Sequence, residues 1–217
     1  MFDNDPMDTR ARIISAFCDS LREHGRPPET VFAFCKQLEI TEREFFQEFA
    51  SFDAVESSYW EQLVDQVVCA VEAGPEWPEF TAKQRLLSFL YAFCEASLDH
   101  RSVMLARIAE LGPFEKPAFL KGFESRFKAF AKSVLDHGAA LGEVAPRGRL
   151  SAIYPDALYT HFRGVIDFSL KDDSRGYERT DAFIEKSVAV AFDLIRTQVV
   201  DSALDLARFL APWREGS

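Results

Sequence analysis

The sequence lacks the spacings by which metal sites and most catalytic sites are recognised. Its four cysteines form no CxxC pair, and its four histidines form neither HxxxH nor HExxH. The GxSxG, GxGxxG and P-loop motifs are also missing. Because these motifs hold nucleophiles, dinucleotide phosphates and metal ions, their absence predicts no catalytic residue, no metal site and no cofactor.

Long hydrophobic runs and basic segments are absent as well. No stretch approaches the roughly 20 apolar residues of a membrane-spanning helix, and the acidic beginning, MFDNDP, lacks the basic and apolar regions of a signal peptide. Positive charge is scarce, because 25 Lys and Arg face 35 Asp and Glu and leave a net charge of −10. We therefore expect a cytoplasmic protein without membrane insertion, repelled by nucleic acid at long range.

Phenylalanine is in excess, at 21 of 217 positions. So many rings must fill a core or line an apolar cavity, and composition alone leaves both interpretations open. Apolar residues recur at the helical period, which predicts an all-α fold. The cysteines lie within these apolar stripes and are expected to be buried. Helices are predicted at 10–24, from Pro27-Pro28, from Thr41, at 53–73, 81–99 and 103–111, from Pro117, and at 150–170 and 180–210, with loops at 138–148 and 172–177.

One helix start can be predicted in atomic detail. Thr41 is followed three residues later by Glu44, the pattern of a capping box in which the two side chains bond each other's main-chain N–H groups. Pro27 and Pro28 also suit a first helical turn, where the missing N–H of proline costs nothing.

The N-terminal part of the chain contains RIISAF at 12–17, Gly25, ETV at 29–31, LEIT at 38–41 and FFQEF at 45–49, and YERTDAFIEKS follows at 177–187. These motifs resemble those of the TetR family of bacterial regulators. The resemblance implies a three-helix helix-turn-helix headpiece at residues 1–52. It also implies a larger helical domain at 53–217 that binds a ligand and dimerises.

The sequence departs from the family pattern where the family contacts DNA. Glu39 stands where the turn usually has Gly, Phe46 where a tyrosine binds phosphate, Glu48 where histidine is usual and Phe52 where lysine is usual. Each of the last three replacements removes a donor or a cation that the family offers to the DNA backbone.

Charge in this region leads to the same expectation without the family. Residues 1–60 contain six Lys or Arg and twelve Asp or Glu, and residues 39–56 contain six carboxylates and one Arg. DNA affinity comes largely from cations that neutralise phosphates, whereas a carboxylate about 4 Å from a phosphate costs roughly 1 kcal/mol even in water. We expect that the headpiece does not bind DNA in the ordinary manner.

The resemblance also implies candidate residues for each family activity. The last two long helices would pair with those of a second subunit, although the same stripes could pack inside one subunit. The candidate interface residues are Tyr154, Leu158, Phe162, Val165, Phe192, Ile195 and Val199. For a pocket that binds a small apolar or amphipathic ligand, the candidates are Trp60, Phe89, Tyr91, Phe93, Phe123, Arg126, Phe127, Phe130 and His161.

Two functional hypotheses remain. The first is a homodimeric ligand-binding protein, regulatory or carrier in role, with a headpiece that has lost ordinary DNA contact. The second is a ligand-responsive DNA-binding repressor with an unusual recognition helix. The residues expected to contact DNA under the second hypothesis are Thr30, Thr41, Arg43, Phe45, Phe46 and Gln47.

Overall fold

The computed structural model describes residues 6–112, 114–144 and 152–196. These residues form nine α-helices and no β-strand, so the all-α prediction is confirmed. None of the described helices is long and apolar enough to cross a bilayer. The helices are α1 (Pro6–His24), α2 (Val31–Leu38), α3 (Glu42–Glu48), α4 (Phe52–Glu72), α5 (Ala82–Ser97), α6 (Arg101–Arg107), α7 (Lys121–Ala140), α8 (Tyr154–Lys171) and α9 (Glu178–Arg196).

A cluster of aromatic rings holds the first three helices together. Phe45 of α3 is fully buried, and its ring centroid lies 6.1 Å from that of Phe34 on α2 and 5.6 Å from that of Phe52 on α4. Phe17 of α1 stacks on Phe52 at 5.5 Å. These stacked and edge-to-face contacts, both of which aromatic pairs favour, join the first three helices to α4 within one continuous hydrophobic core.

Two helix starts show how local sequence sets the boundaries. The predicted capping box is confirmed: the Glu44 N–H donates to the Thr41 hydroxyl at 3.2 Å, and the Thr41 N–H donates to the Glu44 carboxylate at 2.7 Å. The predicted start of α2 at Pro27-Pro28 is wrong. That helix begins at Val31, because the Thr30 hydroxyl accepts the Ala33 N–H at 3.1 Å and so caps it.

The turn between α2 and α3 forces a non-glycine residue into the left-handed region. Glu39 caps the C-terminus of α2 with φ 56° and ψ 39°, a conformation that is costly for L-residues other than glycine. The turn between α2 and α3 thus keeps the backbone of a helix-turn-helix, although the side chain of Glu39 disfavours this conformation.

Replacing Glu39 with Gly is expected to stabilise the protein by about 0.5–1 kcal/mol, since glycine adopts this conformation without strain. Urea unfolding followed by circular dichroism measures the change. Gln37→Gly is the matched control, because Gln37 lies inside α2 and the substitution there should cost about 1 kcal/mol. A destabilising Glu39→Gly would contradict the assigned turn.

The larger helical part is built around α4, α5, α7 and α8. α4 packs along α7, α5 packs on α9, and α7 packs on α8. At Gly122, a Cβ atom would lie only 2.5 Å from the Ser57 carbonyl oxygen, so the close approach of α7 to α4 requires glycine at this position.

Several boundary and burial predictions need correction. α7 continues to Ala140, beyond the predicted loop start at 138, and α8 begins at Tyr154 instead of 150. The predicted extension of the last helix from 197 to 210 lies outside the described residues. Cys18 and Cys35 are buried as expected, whereas Cys94 is half-buried and Cys69 is exposed on α4.

Candidate functional site

Most of the predicted pocket rings form a tightly packed core. Phe89, Phe93, Phe127 and Phe130 are at most 1% exposed. The ring centroid of Phe89 lies 4.6 Å from that of Phe130 and 5.9 Å from that of Phe93. Trp60 and Phe123 are equally buried, with ring centroids 6.3 Å apart. The rings of these six residues therefore pack against one another. This is the arrangement expected if the excess of phenylalanine fills a core.

The three polar residues predicted to accompany these rings lie elsewhere. Arg126 donates to the Asp65 carboxylate at 2.6 Å on the surface between α7 and α4. The Tyr91 hydroxyl lies 3.5 Å from the Asp181 carbonyl oxygen at the start of α9. His161 lies between α8 and α9, where its Nε2 is 2.8 Å from the Ser187 hydroxyl. The structure therefore does not bring these three residues together with the ring core as the polar groups of one pocket.

The predicted dimer residues of α8 face inward. Phe162 is fully buried in the middle of the ring core, and its ring centroid lies 4.4 Å from that of Phe127 and 4.7 Å from that of Phe93. Val165 is also fully buried. Four further residues from the same prediction are nearly or fully buried in the single chain, and the seventh, Val199, lies outside the described residues. These four residues, which pack within the chain's own core instead of on its surface, are Tyr154, Leu158, Phe192 and Ile195.

The opposite face of α8 and α9 carries an exposed apolar surface, which we call the pairing face. Val190 and Leu194 are 58% and 49% exposed, and the rings of Phe168 and Phe183 stack at 4.5 Å across the two helices. A Cβ atom at Gly164 would meet nothing within 4 Å, so packing inside this chain gives no reason for a glycine there. The pairing face consists of Ala157, His161, Gly164, Phe168, Phe183, Lys186, Ser187, Val190, Ala191 and Leu194.

His161 joins the two helices of the pairing face. Its Nε2 lies 2.8 Å from the Ser187 hydroxyl, while its buried Nδ1 has no hydrogen-bond partner in the described part of the chain. Burial lowers the pKa of His161 below its ordinary value of 6.5, which favours the neutral ring at neutral pH.

The exposed side of α3 is mixed in character. Arg43, Phe46 and Gln47 point to solvent beside the acidic Glu42. Phe45 does not, because it is fully buried, and its assignment as a DNA-contacting residue is wrong. Adjacent positions on a helix face different ways. Because Phe45 packs into the ring cluster, its neighbour Phe46 is the one exposed to solvent.

Several of the headpiece cations are already bound to protein groups. Arg10 donates to the Glu48 carbonyl at 3.1 Å and to the Ser58 hydroxyl at 3.0 Å, and Arg12 donates to the Leu38 carbonyl at 3.0 Å. Arg22 and Arg26 pair with Asp19 and Glu29, at 3.3 and 3.1 Å. Lys36 and Arg43 form no ion pair within the described ranges.

A buried ion pair links α4 to α6. Glu56 is fully buried, and its carboxylate accepts two bonds from the Arg107 guanidinium, at 3.0 and 2.9 Å, and one from the Trp60 indole at 3.2 Å. The guanidinium also lies 4.4 Å from the Phe119 ring centroid. Sequence analysis missed this pair, since 51 residues separate its members.

Sequence analysis also missed Tyr159 and Arg163, which lie one helical turn apart on the inner face of α8. Both are 2% exposed, and both have a buried polar atom without a hydrogen-bond partner in the described part of the protein. An arginine within an apolar helical stripe was the available signal.

The architecture is that of helical regulators in which a helix-turn-helix headpiece precedes a larger helical domain. Residues 85–210 match the family model described as the tetracyclin repressor-like C-terminal domain. Since this match covers more than half of the chain, the chain belongs to the TetR family.

Solved structures share the fold. A putative TetR-family transcriptional regulator from Syntrophomonas wolfei is 14% identical with a TM-score of 0.59, and covers 90% of this chain and 97% of its own. A regulatory protein in the TetR family from Rhodococcus RHA1 is 17% identical with a TM-score of 0.51, covering 86% and 96%. A protein of unknown function from the same genus is 13% identical with a TM-score of 0.56, covering 87% and 96%. No curated protein matches the sequence.

Proposed function

We propose that this chain is a homodimeric, ligand-binding member of the TetR family whose headpiece does not bind DNA in the ordinary manner. Its role in this proposal is regulatory or that of a carrier, without catalysis. The single observation that carries the proposal is the state of charge on the headpiece, where most cations are bound to protein groups and acids surround α3.

The geometry opposes DNA binding in two ways. Arg10 and Arg12 would have to give up bonds to main-chain carbonyls before they contacted phosphates. At the surface, Asp19 and Glu29 offset the charges of Arg22 and Arg26, although neutralisation of phosphates supplies most of non-specific affinity. The first turn of α3, which in a helix-turn-helix protein contacts base edges, presents Glu42 to solvent.

We expect Glu42→Arg combined with Glu29→Arg to create or strengthen DNA binding, because each reversal exchanges a repelled group for a phosphate-binding one. The slope of log affinity against log salt concentration should become steeper, by about the amount expected for one to two added phosphate contacts. Fluorescence anisotropy with the DNA upstream of the gene, at about 50 mM salt, measures both quantities. Glu44 is left in place because it caps α3.

Glu72→Arg combined with Glu185→Arg, at exposed positions of α4 and α9, is the control, with the same charge change on the larger domain. Wild-type protein should show no sequence-specific binding. Specific wild-type binding in the range of about 10⁻⁸ M or tighter, typical of operators at physiological salt, would show that the proposal is wrong.

The alternative is a ligand-responsive DNA-binding repressor. The observation in its favour is that the helix-turn-helix backbone is retained at Glu39, with Lys36 and Arg43 exposed and without ion pairs among the residues described. The same anisotropy measurement on wild-type protein decides between the two functions.

The dimer in this proposal forms through the pairing face. Exposed apolar side chains on two adjacent antiparallel helices fit a four-helix interface between two subunits, and patches of this kind mark interaction sites. Gly164 supports this assignment because a partner helix could approach the backbone closely there. Members of the family generally pair through the corresponding helices.

Replacing both Val190 and Leu194 with Asp should weaken self-association by about 100-fold or more, because each loses an apolar burial of roughly 1.5–3 kcal/mol. Sedimentation equilibrium measures the association, and circular dichroism should show an unchanged helical content. Leu105→Asp is the matched control, since Leu105 is 46% exposed on α6, outside the pairing face. Unaltered dimers of the double variant would contradict this interface.

A further inference from the structure

The headpiece has an apolar groove between α2 and α3, with a volume of about 370 Å³. Phe32 stands at its edge and is 65% exposed, so most of a large apolar ring faces water. Exposed aromatic side chains of this kind are enriched where one protein contacts another. The residues that line the groove are Phe32, Cys35, Lys36, Ile40, Thr41 and Glu42.

A second exposed ring extends this surface along α3. Phe46 is 54% exposed, and it follows Glu42 by four residues, which places it one turn further along the same side of the helix. Phe45 supports it from the core side, with ring centroids 5.3 Å apart. We call the surface formed by the lining residues and Phe46 the headpiece groove.

Bonds within the chain hold the headpiece groove in shape. The Ile40 N–H donates to the Cys35 carbonyl at 3.0 Å, and the capping box of Thr41 and Glu44 fixes the start of α3. Burial, and after it the charges of Glu42 and Glu44, raises the pKa of the Cys35 thiol, so the floor of the groove stays uncharged. A preformed apolar surface costs less ordering entropy on binding than a mobile one.

Charge indicates what kind of partner this surface fits. Residues 29–48 contain five Glu and two Lys or Arg, a net charge of −3. Glu39 and Glu42 are exposed and form no ion pair among the described residues. A second copy of the chain, itself at −10, would bring like charges together, and an anionic membrane surface is repelled for the same reason. A cationic protein segment is attracted.

We propose that the headpiece groove binds a basic amphipathic helix of another protein. The apolar side of that helix covers Phe32 and Phe46, as in complexes in which a helix lies in a hydrophobic groove, and its Lys or Arg side chains lie beside Glu39 and Glu42. This inference rests on the part of the proposed function in which the headpiece does not bind DNA in the ordinary manner, and it adds the class of partner. The small size of the groove fits a transient complex.

Fluorescence anisotropy of labelled synthetic peptides with the intact protein tests the inference. The probe is an amidated Leu–Lys peptide of about 14 residues, four helical turns with Leu along one side. Two matched peptides carry Glu in place of Lys or Ala in place of Leu. The Leu–Lys peptide should bind, and each matched peptide should bind at least about tenfold more weakly, because one loses the charge complementarity and the other the apolar contact.

Two variants test the two contributions on the protein side. Phe32→Ser combined with Phe46→Ser should weaken binding of the Leu–Lys peptide by about tenfold or more, since both apolar contacts are lost. Glu39→Gln combined with Glu42→Gln should weaken it by about three- to tenfold and make it less sensitive to salt. Circular dichroism should show the helical content of the wild type in both variants.

Leu105→Ser combined with Phe114→Ser is the matched control, because these side chains are 46% and 79% exposed in the larger helical part. Peptide binding should be unchanged there. An equal loss in this control, an unchanged affinity in the Phe32 and Phe46 variant, or no binding of the Leu–Lys peptide at about 1 mM would overturn the inference and leave the proposed function standing.

The DNA measurement supplies the remaining outcome. If wild-type protein bound the upstream DNA specifically and the Phe32 and Phe46 variant did not, the groove would be a DNA-contacting surface. That result would overturn both this inference and the proposed function.

Discussion

Replacement of Arg107 by Met is expected to lower the free energy of unfolding by about 3–5 kcal/mol. The substitution leaves the carboxylate of Glu56, which has no solvent exposure, without the guanidinium that binds it through two hydrogen bonds. Breaking a buried pair is more costly than removing both charges, since one charge then remains buried and uncompensated. Chemical unfolding in urea at pH 7 measures the change.

Two further variants separate this effect from lost packing. The double variant Glu56→Gln with Arg107→Met should recover part of the loss, because no charge is left buried. Asp65→Ala, which removes the surface partner of Arg126, should cost less than about 1 kcal/mol. If Arg107→Met and Asp65→Ala have similar effects, the link between α4 and α6 does not contribute to stability in the way described.

Replacement of Phe162 by Ala is also expected to cost about 3–5 kcal/mol. Its ring lies against those of Phe89, Phe93, Phe123 and Phe127, with centroid distances of 4.4–5.3 Å. Truncation removes these contacts and leaves a cavity that the surrounding rings fill only in part.

Measuring the Phe162 variants in a monomeric protein distinguishes a role of Phe162 in the core from a role at the dimer interface. In the Val190→Asp and Leu194→Asp variant, which should be monomeric, Phe162→Ala should still destabilise the fold, and Phe162→Leu should be milder because it keeps most of the volume. If Phe162→Ala weakens self-association but leaves monomer unfolding unchanged, Phe162 belongs to the dimer interface.

The helices and caps could be predicted from the sequence, because they depend on interactions between residues a few positions apart. The capping box at Thr41 and Glu44 is such a case: both partners lie in one turn, and the structure has both bonds. The start of α2 was missed because two competing local signals were present, and the Thr30 hydroxyl determined the boundary instead of the prolines.

The site residues were harder to predict. A helical period shows that a helix has an apolar face, but it does not show whether that face packs in the protein's own core or against a partner. The strongest apolar stripes of α8 and α9 go to the protein's own core, as Phe162 and Ile184 do. The pairing face is mixed with small residues such as Gly164 and Ala191, and its hydropathy signal is correspondingly weak. Arg163 and the Glu56–Arg107 pair depend on long-range packing, which one sequence does not reveal.

Glu39 adopts the left-handed conformation that closes the turn between α2 and α3, although its side chain disfavours that conformation. Glycine is therefore not a requirement for this turn. Lys36 and Arg43 are exposed on either side of the turn, so substitutions that change their charge should alter the affinity for a charged partner while the backbone of the turn is kept.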